Sequence, residues 1–582
     1  MAKKNQRLDK FAIAAALQEI AALLELKGGT DRFKARAYQT GSRVIAAMRE
    51  DIGDVIRDNA LTSMRGIGNA LASQIEQLYS TGESSVLRGL RKDFPPGIIE
   101  LSGVPGLSIK KIKLLHDALG ITSVAELKAA AEAGRISTIK GFGAKSEQGL
   151  LETLSAKRTT EKRQRRLHIH HAERIAEPIG DYISTARGVS EVAIAGALRR
   201  RKETVGTLRF VVAAAKPPAV IKHFLGFPLI IQVTSQTPDT CDVVLAEGAK
   251  VSVTAVGPDD FSLAVITETG SQAHVAKLLN LEKAKTRKRP AASSARMSAL
   301  TSIESKEAAV YKRIGLQFIP PELREDEGEI EAARAGKLPD DFITTDDIQG
   351  MVHCHTTYSD GKHSVQQMAL AAEQMGMKYI TITDHSPTAF YAGGVTLDQL
   401  KRQWDEIAEV QETVKVKILR GTESDIVADG RLDYPDKILE QFDVIVASIH
   451  SRYKMDSEKM TKRIVTAMRQ PVFKIWGHAL GRLIERRPPF ECDIEKILDV
   501  IAESRAAIEI NGDPYRLDME PRWIREARKR KIKFVISVDA HSAGALNNMK
   551  YGVGIARRGW VRKGEVLNAL NTKGFQKAVR PA

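Results

Sequence analysis

The C-terminal third of the chain alternates short apolar runs with stretches of helical spacing. Runs such as KYITITDH, DVIVASIH, KIWGH and KFVISVDAH each end on a histidine. A short apolar run of this kind predicts a buried β-strand, and strands that alternate with helices predict parallel βα units. The pattern therefore predicts a (βα) barrel from residue 343 almost to the C-terminus, with the side chains at the strand ends converging on one face.

The rest of the chain changes its pattern several times. Residues 1–80 show helical apolar spacing, as in FAIAAALQEIAALLEL and ARAYQTGSRVIAAM, and predict a helical domain. Residues 157–185 are interpreted as a basic linker followed by a helix, and residues 190–265 contain short β-runs such as EVAIAG, LRFVVAAA and LIIQVT. Residues 283–306 are rich in Lys, Arg, Ala and Ser, which predicts a flexible loop.

A glycine turn recurs three times between the helical N-terminus and the β-runs. The copies are Gly66-Ile67-Gly68, Gly103-Val104-Pro105-Gly106 and Gly141-Phe142-Gly143. Glycines permit a tight turn, and the helix that follows offers free backbone N–H groups to a phosphate. The second and third copies resemble helix-hairpin-helix motifs. One such turn is weak evidence, but three within one basic protein favour DNA binding. We assign DNA contact to these glycines and to Lys145 in the helix after the third turn.

Composition and charge narrow the class of protein. The chain has 582 residues, a formal net charge of +16 and a hydrophobic content of 43%. No apolar run reaches the ~20 residues that a membrane span needs, and the three cysteines are far apart, so we expect a reduced, cytoplasmic protein that is not bound to membranes. The basic segments Lys157–Arg166 and Lys283–Arg289 are typical of contacts with a nucleic-acid backbone.

Nine residues at or near the predicted strand ends carry nitrogen or oxygen ligands. In chain order they are His353, His355, Asp360, His385, Glu423, His450, His478, Asp539 and His541. Imidazole and carboxylate groups that converge at one point hold two or three divalent ions. Mn²⁺ or Zn²⁺ suits this ligand set, and Fe²⁺ or Mg²⁺ is an alternative. Such a centre hydrolyses phosphate esters.

A second histidine cluster, in LHIHHAERI, is interpreted differently. His168, His170 and His171 do not have the i, i+4 spacing that would place two ligands on one helical face. We interpret them as a solvated helix face.

Over nearly its whole length the chain resembles a bacterial family X DNA polymerase with a C-terminal PHP (polymerase and histidinol phosphatase) domain. The stretches that carry the resemblance are YKRIGLQFIPPELREDEGEIEAA, HCHTTYSDG, ITDHS, RGTESDI, GHALGR, EINGDPYRLD, VDAHS and YGVGIARRGW. The resemblance implies a multidomain α/β protein with a helical helix-hairpin-helix N-terminus, an α+β nucleotidyltransferase palm and thumb, and a distorted (βα)7 PHP barrel.

The resemblance also assigns domains and roles. It implies a lyase-type helical domain at 1–80, a fingers-like helix-hairpin-helix region at 81–156, a palm at 157–265, a thumb-like region with the basic loop at 266–335, and a PHP phosphoesterase domain at 343–582. The nine ligands match the PHP metal set one by one, with Asp360 and His385 catalytic as well. Asn511 and Arg516 match residues near the family's site and would hold substrate phosphate.

The palm departs from the family pattern. A family X palm carries Gly-Ser, two arginines, Gly-Asp-x-Asp and a third aspartate on a later strand. In AGALRRRKETVGTLRFVV (195–212) Ala197 replaces the serine, and Thr207 and Arg209 replace two aspartates; in KVSVTAV (250–256) Ser252 replaces the third. Polymerisation needs two Mg²⁺ ions about 3.5–4 Å apart, which these carboxylates hold, so we expect nucleotide addition to be lost.

A second departure concerns lyase chemistry. Family members that cleave abasic sites use a lysine in the helix after the first glycine turn, where NALASQIEQL here has Ala70 and Gln74 at the matching positions. A reactive amine is needed for Schiff-base catalysis. We therefore do not expect this lyase reaction, whereas the fold and DNA binding are expected to persist.

The sequence thus predicts a DNA repair enzyme. We expect a monomeric, metal-dependent 3′–5′ exonuclease or phosphoesterase that acts through its PHP domain on gapped, nicked or 3′-ended DNA, with abasic-site endonuclease activity as a further candidate. The main alternative is an active gap-filling DNA polymerase with an associated 3′–5′ exonuclease. A non-catalytic DNA-binding scaffold disagrees with the complete metal set, and a small-molecule phosphatase disagrees with the DNA-binding half.

Overall fold

The chain folds into two compact units, Met1–Arg165 and Arg166–Ala582. The computed structural model describes residues 8, 10–28, 31–47, 52–64, 66–94, 101, 107, 109–139, 141–143, 147–148, 150, 166–227, 229–245, 248–286 and 302–581. Among these residues no helix is both long enough and apolar enough to cross a bilayer.

The first unit is helical, as its apolar spacing predicts. Ile13, Leu17, Ile20 and Leu24 repeat at three- and four-residue intervals and lie buried in its core, which is the pattern of one buried helix face. Its helices are α1 (Lys10–Lys27), α2 (Asp31–Ala47), α3 (Ile52–Arg57), α4 (Asn69–Thr81), α5 (Ser85–Asp93), α6 (Ile109–Leu119) and α7 (Val124–Glu132).

Two of the three glycine turns have the same conformation. Gly66 and Gly141 have φ of 98° and 103°, a left-handed region that favours glycine. In each turn the next residue, Ile67 or Phe142, is buried and its N–H donates to the carbonyl three residues back, at 3.0 and 2.9 Å. This equivalence agrees with the helix-hairpin-helix prediction; Gly103, Gly106 and Lys145 lie outside the described residues.

The second unit begins with a central α/β region, residues 166–286. Its main sheet has the strand order β2-β4-β7-β6-β5, with β4 and β7 parallel and the other neighbours antiparallel, and β1 pairs with β3. The strands are β1 (Leu167–His168), β2 (Val189–Ala195), β3 (Thr204–Val205), β4 (Thr207–Ala214), β5 (Ile230–Gln236), β6 (Thr240–Leu245) and β7 (Lys250–Val256); the helices are α8 (Ile169–Ser184), α9 (Gly196–Arg199), α10 (Pro217–Phe224), α11 (Phe261–Thr269) and α12 (Gln272–Thr286).

A small helical segment follows. It contains α13 (Ile303–Arg313) and α14 (Glu329–Arg334). Because α12 extends to Thr286 and α13 starts at Ile303, the prediction of a loop over 283–306 was wrong at both ends. Helical spacing in KLLNLEKAKT continues into the basic run, so helix propensity extends the helix beyond its apolar part.

The C-terminal part of the second unit is a seven-stranded parallel barrel, which confirms the predicted fold. The sheet order β14 to β8 follows the chain without a crossover. A parallel bridge between Cys354 and Ala540 joins the two outer strands, with the His355 N–H donating to the Ala540 carbonyl at 2.8 Å. The strands are β8 (Gly350–Cys354), β9 (Tyr379–Ile382), β10 (Lys417–Asp425), β11 (Val444–Ser448), β12 (Lys474–Trp476), β13 (Ala506–Asn511) and β14 (Phe534–Ser537).

Helices cover the outside of this barrel and complete its βα units. They are α15 (Val365–Gln374), α16 (Leu397–Gln411), α17 (Asp436–Leu439), α18 (Ser457–Met468), α19 (Ile494–Glu503), α20 (Pro521–Lys529) and α21 (Met549–Arg558). The last helix, α22 (Thr572–Val579), instead packs Phe575 and Val579 against Leu419, which is on the same face of β10 as Glu423. Strand residues such as Ile380, Ile445 and Ile508 are fully buried, because both faces of a parallel sheet are covered. All strands point the same way, so their carboxyl ends form one rim.

Candidate metal centre

The nine predicted ligands meet at the carboxyl rim of the barrel. Glu423 lies within β10 and His353 within β8, while the other histidines and Asp539 follow strand ends. Asp360 lies on the turn after β8, which is closed by a 2.9 Å bond from the Gly361 N–H to the Thr356 carbonyl. His353, His478 and Asp539 have positive φ of 65°, 25° and 51°. Such strain, about 1–3 kcal/mol each, is typical of functional sites.

Glu423 is the centre of the arrangement. Its carboxylate oxygens lie 2.8 to 3.5 Å from one ring nitrogen of each of five histidines. These five are His353, His355, His385, His450 and His478. Asp360 lies 3.2 Å from His541 Nε2 and 3.6 Å from His385 Nε2, and Asp539 lies 3.2 Å from His355 Nε2. The structure therefore brings all nine predicted residues together.

Eight of the nine predicted ligands, all but His478, form three overlapping groups. Within each group the candidate atoms lie no more than 4.8 Å apart. The groups are His355, Asp360, His385 and His541; His353, His355, Glu423 and Asp539; and His385, Glu423 and His450. Among the described residues every such group lies in the barrel. Shared ligands of this kind suit adjacent ions, as in two-metal sites.

Buried atoms in the centre show that its residues fit divalent ions. His353 Nε2, His355 Nε2, Glu423 Oε2 and Asp539 Oδ1 are buried and form no hydrogen bond with the described residues. Such groups cost free energy unless a hydrogen bond or a cation compensates for the lost water. Mixed imidazole and carboxylate donors suit Mn²⁺, Zn²⁺ or Fe²⁺.

The electrostatics of the centre also favour cations. Burial lowers the pKa of His355 to about 3, with further lowering by His541 and His385; the ring is therefore neutral, which is the form that binds metal. Burial opposes the charging of His450, yet Glu423 and Asp425 raise its pKa to about 9. The negative charge of these carboxylates therefore attracts cations, whether these are protons or metal ions.

The sequence did not reveal Glu509, a fully buried carboxylate on β13. It accepts from His353 Nδ1 at 2.5 Å and from Asn511 Nδ2 at 3.0 Å, and also from the His478 N–H and the Ser537 hydroxyl. A carboxylate behind a metal-binding histidine fixes the tautomer and the ring orientation. The signal in the sequence was that Glu509 and Asn511 are two residues apart, so that their side chains lie on the same face of one strand.

Glu509→Gln is expected to lower metal affinity about 10- to 100-fold, because the His353 ring loses its carboxylate partner. A titration of the purified protein with Mn²⁺ that measures bound metal checks this change. Glu503→Gln, on the neighbouring helix α19 and exposed, is the matched control. Equal metal dependence of Glu509→Gln and wild type would show that Glu509 does not orient the ligand.

Two further carboxylates brace the ligand loops. Asp384 accepts from the Thr356 N–H and hydroxyl at 2.7 and 2.6 Å and from Gln403 Nε2 at 2.7 Å, so it links the loop of Asp360 to the strand end of His385. Asp425 contacts His450 Nδ1 at 3.2 Å and accepts from its N–H at 3.1 Å. Each fixes a ligand without being one of the nine.

The two predicted phosphate-binding residues differ in placement. Arg516 Nε lies 3.3 Å from Asp539 Oδ2, so the guanidinium faces the metal centre. Asn511 is fully buried; its amide donates to Glu509 and its oxygen accepts from the Asp513 N–H at 2.9 Å. The structure thus places Asn511 behind the centre, as a support for Glu509.

The histidine cluster at the end of β1 and the start of α8 does not form the solvated face that we predicted. The rings of His168 and His170 lie 5.1 and 4.9 Å from the ring of Tyr515, which follows strand β13 of the barrel. His171 lies 3.9 Å from His170. The prediction was wrong because the partner lies more than 300 residues away along the chain, and spacing within one helix carries no information about it.

The positions of the missing palm aspartates also meet, on the central sheet. Arg209 on β4 is in register with Ser252 on β7, and Ser252 with Asp242 on β6. The Arg209 side chain packs against Gly196, beside Ala197, and its Nη1 lies 2.6 Å from Glu268 Oε2. Thr207 starts the same strand. An ion-paired guanidinium therefore occupies the face where cation-binding carboxylates would stand.

The arginines next to this site are engaged as well. Arg199 forms a two-pronged pair with buried Glu307, both contacts at 2.8 Å. Arg200 Nε donates to Glu325 at 2.9 Å, and Arg201 pairs with Glu173. Arg324 also donates to Glu307, at 2.7 Å. These contacts hold the arginine run in the structure of the second unit.

Three protein families match segments of the chain. The family model described as PHP domain matches residues 352–513, which contain seven of the nine candidate ligands. A helix-hairpin-helix domain model matches residues 9–84, and a SAM-like helix-hairpin-helix tandem model matches residues 98–156. These matches agree with the helical first unit and the C-terminal barrel.

Curated relatives fall into two kinds. The chain is 34% identical over 576 residues to the DNA polymerase/3′-5′ exonuclease PolX of Bacillus subtilis, covering 98% of this chain and 99% of that protein. It is 28% identical over 228 residues to a probable phosphatase of Thermoanaerobacter sp., covering 37% of this chain and 88% of that protein. A probable phosphatase of Caldanaerobacter subterraneus is 29% identical over 201 residues, 32% of this chain and 74% of that protein.

Proposed function

Because the chain belongs to the family of bacterial family X DNA polymerase/3′-5′ exonucleases with a PHP domain, we propose that it acts mainly as a metal-dependent 3′–5′ exonuclease on DNA. The observation that carries the proposal is the set of three overlapping His/Asp/Glu groups at one rim of the barrel. The helix-hairpin-helix domains in the first unit would bind the DNA substrate. Such DNA-binding domains distinguish this chain from the shorter phosphatases.

The residues of the centre have distinct tasks in this proposal. His353, His355, Asp360, His385, Glu423, His450, His478, Asp539 and His541 would hold two or three divalent ions. Such ions supply an activated water at neutral pH and offset charge on the phosphate. Arg516 would bind a phosphate oxygen beside Asp539, and its planar N–H groups suit that geometry. Glu509, Asp384 and Asp425 keep the ligands oriented.

We propose that the chain does not add nucleotides to DNA. Thr207, Arg209 and Ser252 offer no carboxylate; Asp242 is in register with Ser252, and Glu268 is paired with Arg209. An arginine side chain does not coordinate metal ions, and the hydroxyl groups of Thr207 and Ser252 are weak, neutral ligands. The palm at 157–265 and the thumb-like region at 266–335 would therefore have a structural role in the nuclease.

A substrate panel tests the proposal. We expect the purified protein with Mn²⁺ to release nucleotides from the 3′ ends of gapped and nicked DNA faster than it hydrolyses a simple phosphomonoester. A chelator should abolish the activity. Hydrolysis of the phosphomonoester alone would replace the proposal with a small-molecule phosphatase, and no hydrolysis at all would favour a DNA-binding scaffold.

DNA binding should depend on salt and little on sequence. Replacing the five basic residues of Lys283–Arg289 by glutamine should weaken binding and flatten the slope of log K against log salt, by about 0.9 per lost phosphate contact on duplex DNA. Fluorescence anisotropy at several salt concentrations measures the slope. Glutamine at Lys312 and Arg313, at the end of α13, is the control. A slope equal to wild type would show that this segment does not contact phosphate.

A further inference from the structure

The loop that carries Arg516 is held at successive backbone carbonyls. The Pro514 carbonyl accepts from His168 Nδ1 at 3.3 Å, and the Tyr515 carbonyl accepts from the Ile484 N–H at 2.8 Å. The carbonyls of Arg516 and Leu517 both accept from the buried guanidinium of Arg482, the first at 3.0 Å. Four consecutive peptide units are thus fixed by side chains and backbone outside the loop.

Two of these restraints originate in the central α/β region. His168 ends β1, bonds Pro514 directly and contacts the Tyr515 ring at 5.1 Å. Glu203 lies behind Arg482, with its Oε1 3.4 Å from Arg482 Nη2. Its other oxygen lies 3.2 Å from Arg558 Nη1. Burial would raise the pKa of Glu203, but Arg558 and Arg482 lower it to about 2, so the carboxylate is charged and fixes Arg482.

His168 and Glu203 are themselves joined in one small element. His168 pairs with Thr204 in the β1–β3 ladder, and the Ile169 N–H donates to the Glu203 carbonyl at 3.1 Å. Glu203 ends the arginine run that precedes the altered metal positions of the palm. A single two-stranded clamp, residues 167–169 and 203–205, therefore reaches the barrel loop from the central region.

We propose that this two-stranded clamp positions Arg516 for phosphate hydrolysis, so that the central region, without catalytic aspartates of its own, is a working part of the nuclease. The inference rests on the proposed exonuclease function. Arg516 is separated by one residue from Pro514 and bonded through its own carbonyl to Arg482. A shift of the loop therefore moves its guanidinium relative to Asp539. Because charge stabilisation in the transition state depends on preorganised donors, a displacement of about 1 Å reduces the rate.

Glu203→Gln and His168→Ala test the proposal. The matched control is Glu173→Gln: Glu173 also joins the central region to the barrel, through Lys550 at 2.7 Å and Tyr551 Oη at 2.7 Å, but none of these bonds reaches the loop. With bis(p-nitrophenyl) phosphate, which lacks extended DNA contacts, we expect kcat to fall about tenfold in each clamp variant, with KM and thermal unfolding near the control. His168→Gln, which keeps an N–H donor for Pro514, should recover most of the rate.

A double-mutant cycle decides whether the effect passes through Arg516. Arg516→Ala alone should lower kcat about 100-fold, as for loss of a charge-stabilising donor. Glu203→Gln should add less than about twofold in that background, because two residues acting through one contact are not additive. If the losses multiply, or if Glu173→Gln lowers kcat as much as Glu203→Gln, the proposal is overturned. If Glu203→Gln fails to fold, the comparison of His168→Ala with His168→Gln tests the proposal by itself.

The same experiments separate this inference from the proposed function. Wild-type protein that hydrolyses neither DNA nor the diester with Mn²⁺ would overturn the exonuclease proposal itself. Normal wild-type hydrolysis, loss of activity in Arg516→Ala and full activity in both clamp variants would overturn only the positioning role.

Discussion

His353→Ala and Asp539→Ala are each expected to lower DNA hydrolysis at least about 100-fold, since loss of a ligand removes a catalytic ion or displaces it. Both side chains belong to the group that also contains His355 and Glu423. His353 is braced by Glu509, and Asp539 lies beside Arg516. The measurement is single-turnover release of the 3′ nucleotide with saturating Mn²⁺, together with the metal content of each purified variant.

The control for these variants is His363→Ala. His363 lies on the same loop as Asp360 but outside the ligand groups, and its Nδ1 accepts from the Ala543 N–H at 3.3 Å. We expect it to keep most of the activity. If His353→Ala and Asp539→Ala stayed folded and still turned over like wild type, hydrolysis would have to come from another site.

The second large effect is the absence of templated synthesis. We expect no extension of a one-nucleotide gap with Mg²⁺ or Mn²⁺, even in the His353→Ala variant. Disabling the nuclease matters because degradation would hide slow synthesis. The reason is electrostatic: the Arg209 guanidinium, in register with Ser252, stands where a Mg²⁺ ion would have to bind. Two like unit charges ~4 Å apart repel by about 1 kcal/mol in water and by roughly four times that at an effective dielectric of 20, and the double charge of Mg²⁺ doubles both values.

Asp242 is the carboxylate that we would expect to bind a metal ion if extension occurred in this experiment. It is in register with Ser252, whereas Glu203 is already held between Arg482 and Arg558. An unrelated gap-filling polymerase must extend the same substrate under the same conditions as a positive control. Template-directed extension by His353→Ala that disappears in His353→Ala/Asp242→Asn would falsify the loss of polymerisation and identify the carboxylate that replaced the family's aspartates.

The sequence predicted those parts of the site that follow from strand ends. Apolar runs ending on His385, His450 and His478 are visible along the chain, and parallel strands bring such ends together at one rim. Glu509 and Asp384 were missed because a buried carboxylate that supports a ligand has no spacing rule of its own. Their roles follow from contacts with His353 and Thr356, which only the folded barrel creates.

Contacts between distant segments account for the clearest error. His168, His170 and His171 were interpreted as solvated because a helical pattern defines which face is polar, not what covers that face. The same limit applies to Asn511, which matches a residue near the family's site but faces Glu509. By contrast, the glycine turns at Gly66 and Gly141 needed no distant partner, and their left-handed backbone follows from residue type.

The Arg209–Glu268 pair opposes a single aspartate substitution at position 209. A lone Arg209→Asp substitution would take the cation away from Glu268 and place a second carboxylate near it, while Thr207 and Ser252 would still give an incoming Mg²⁺ too few charges. The repulsion costs about 1 kcal/mol at a water-exposed site and brings no activity in return. A return of metal-binding charge to this face would therefore need carboxylates at more than one of these positions together.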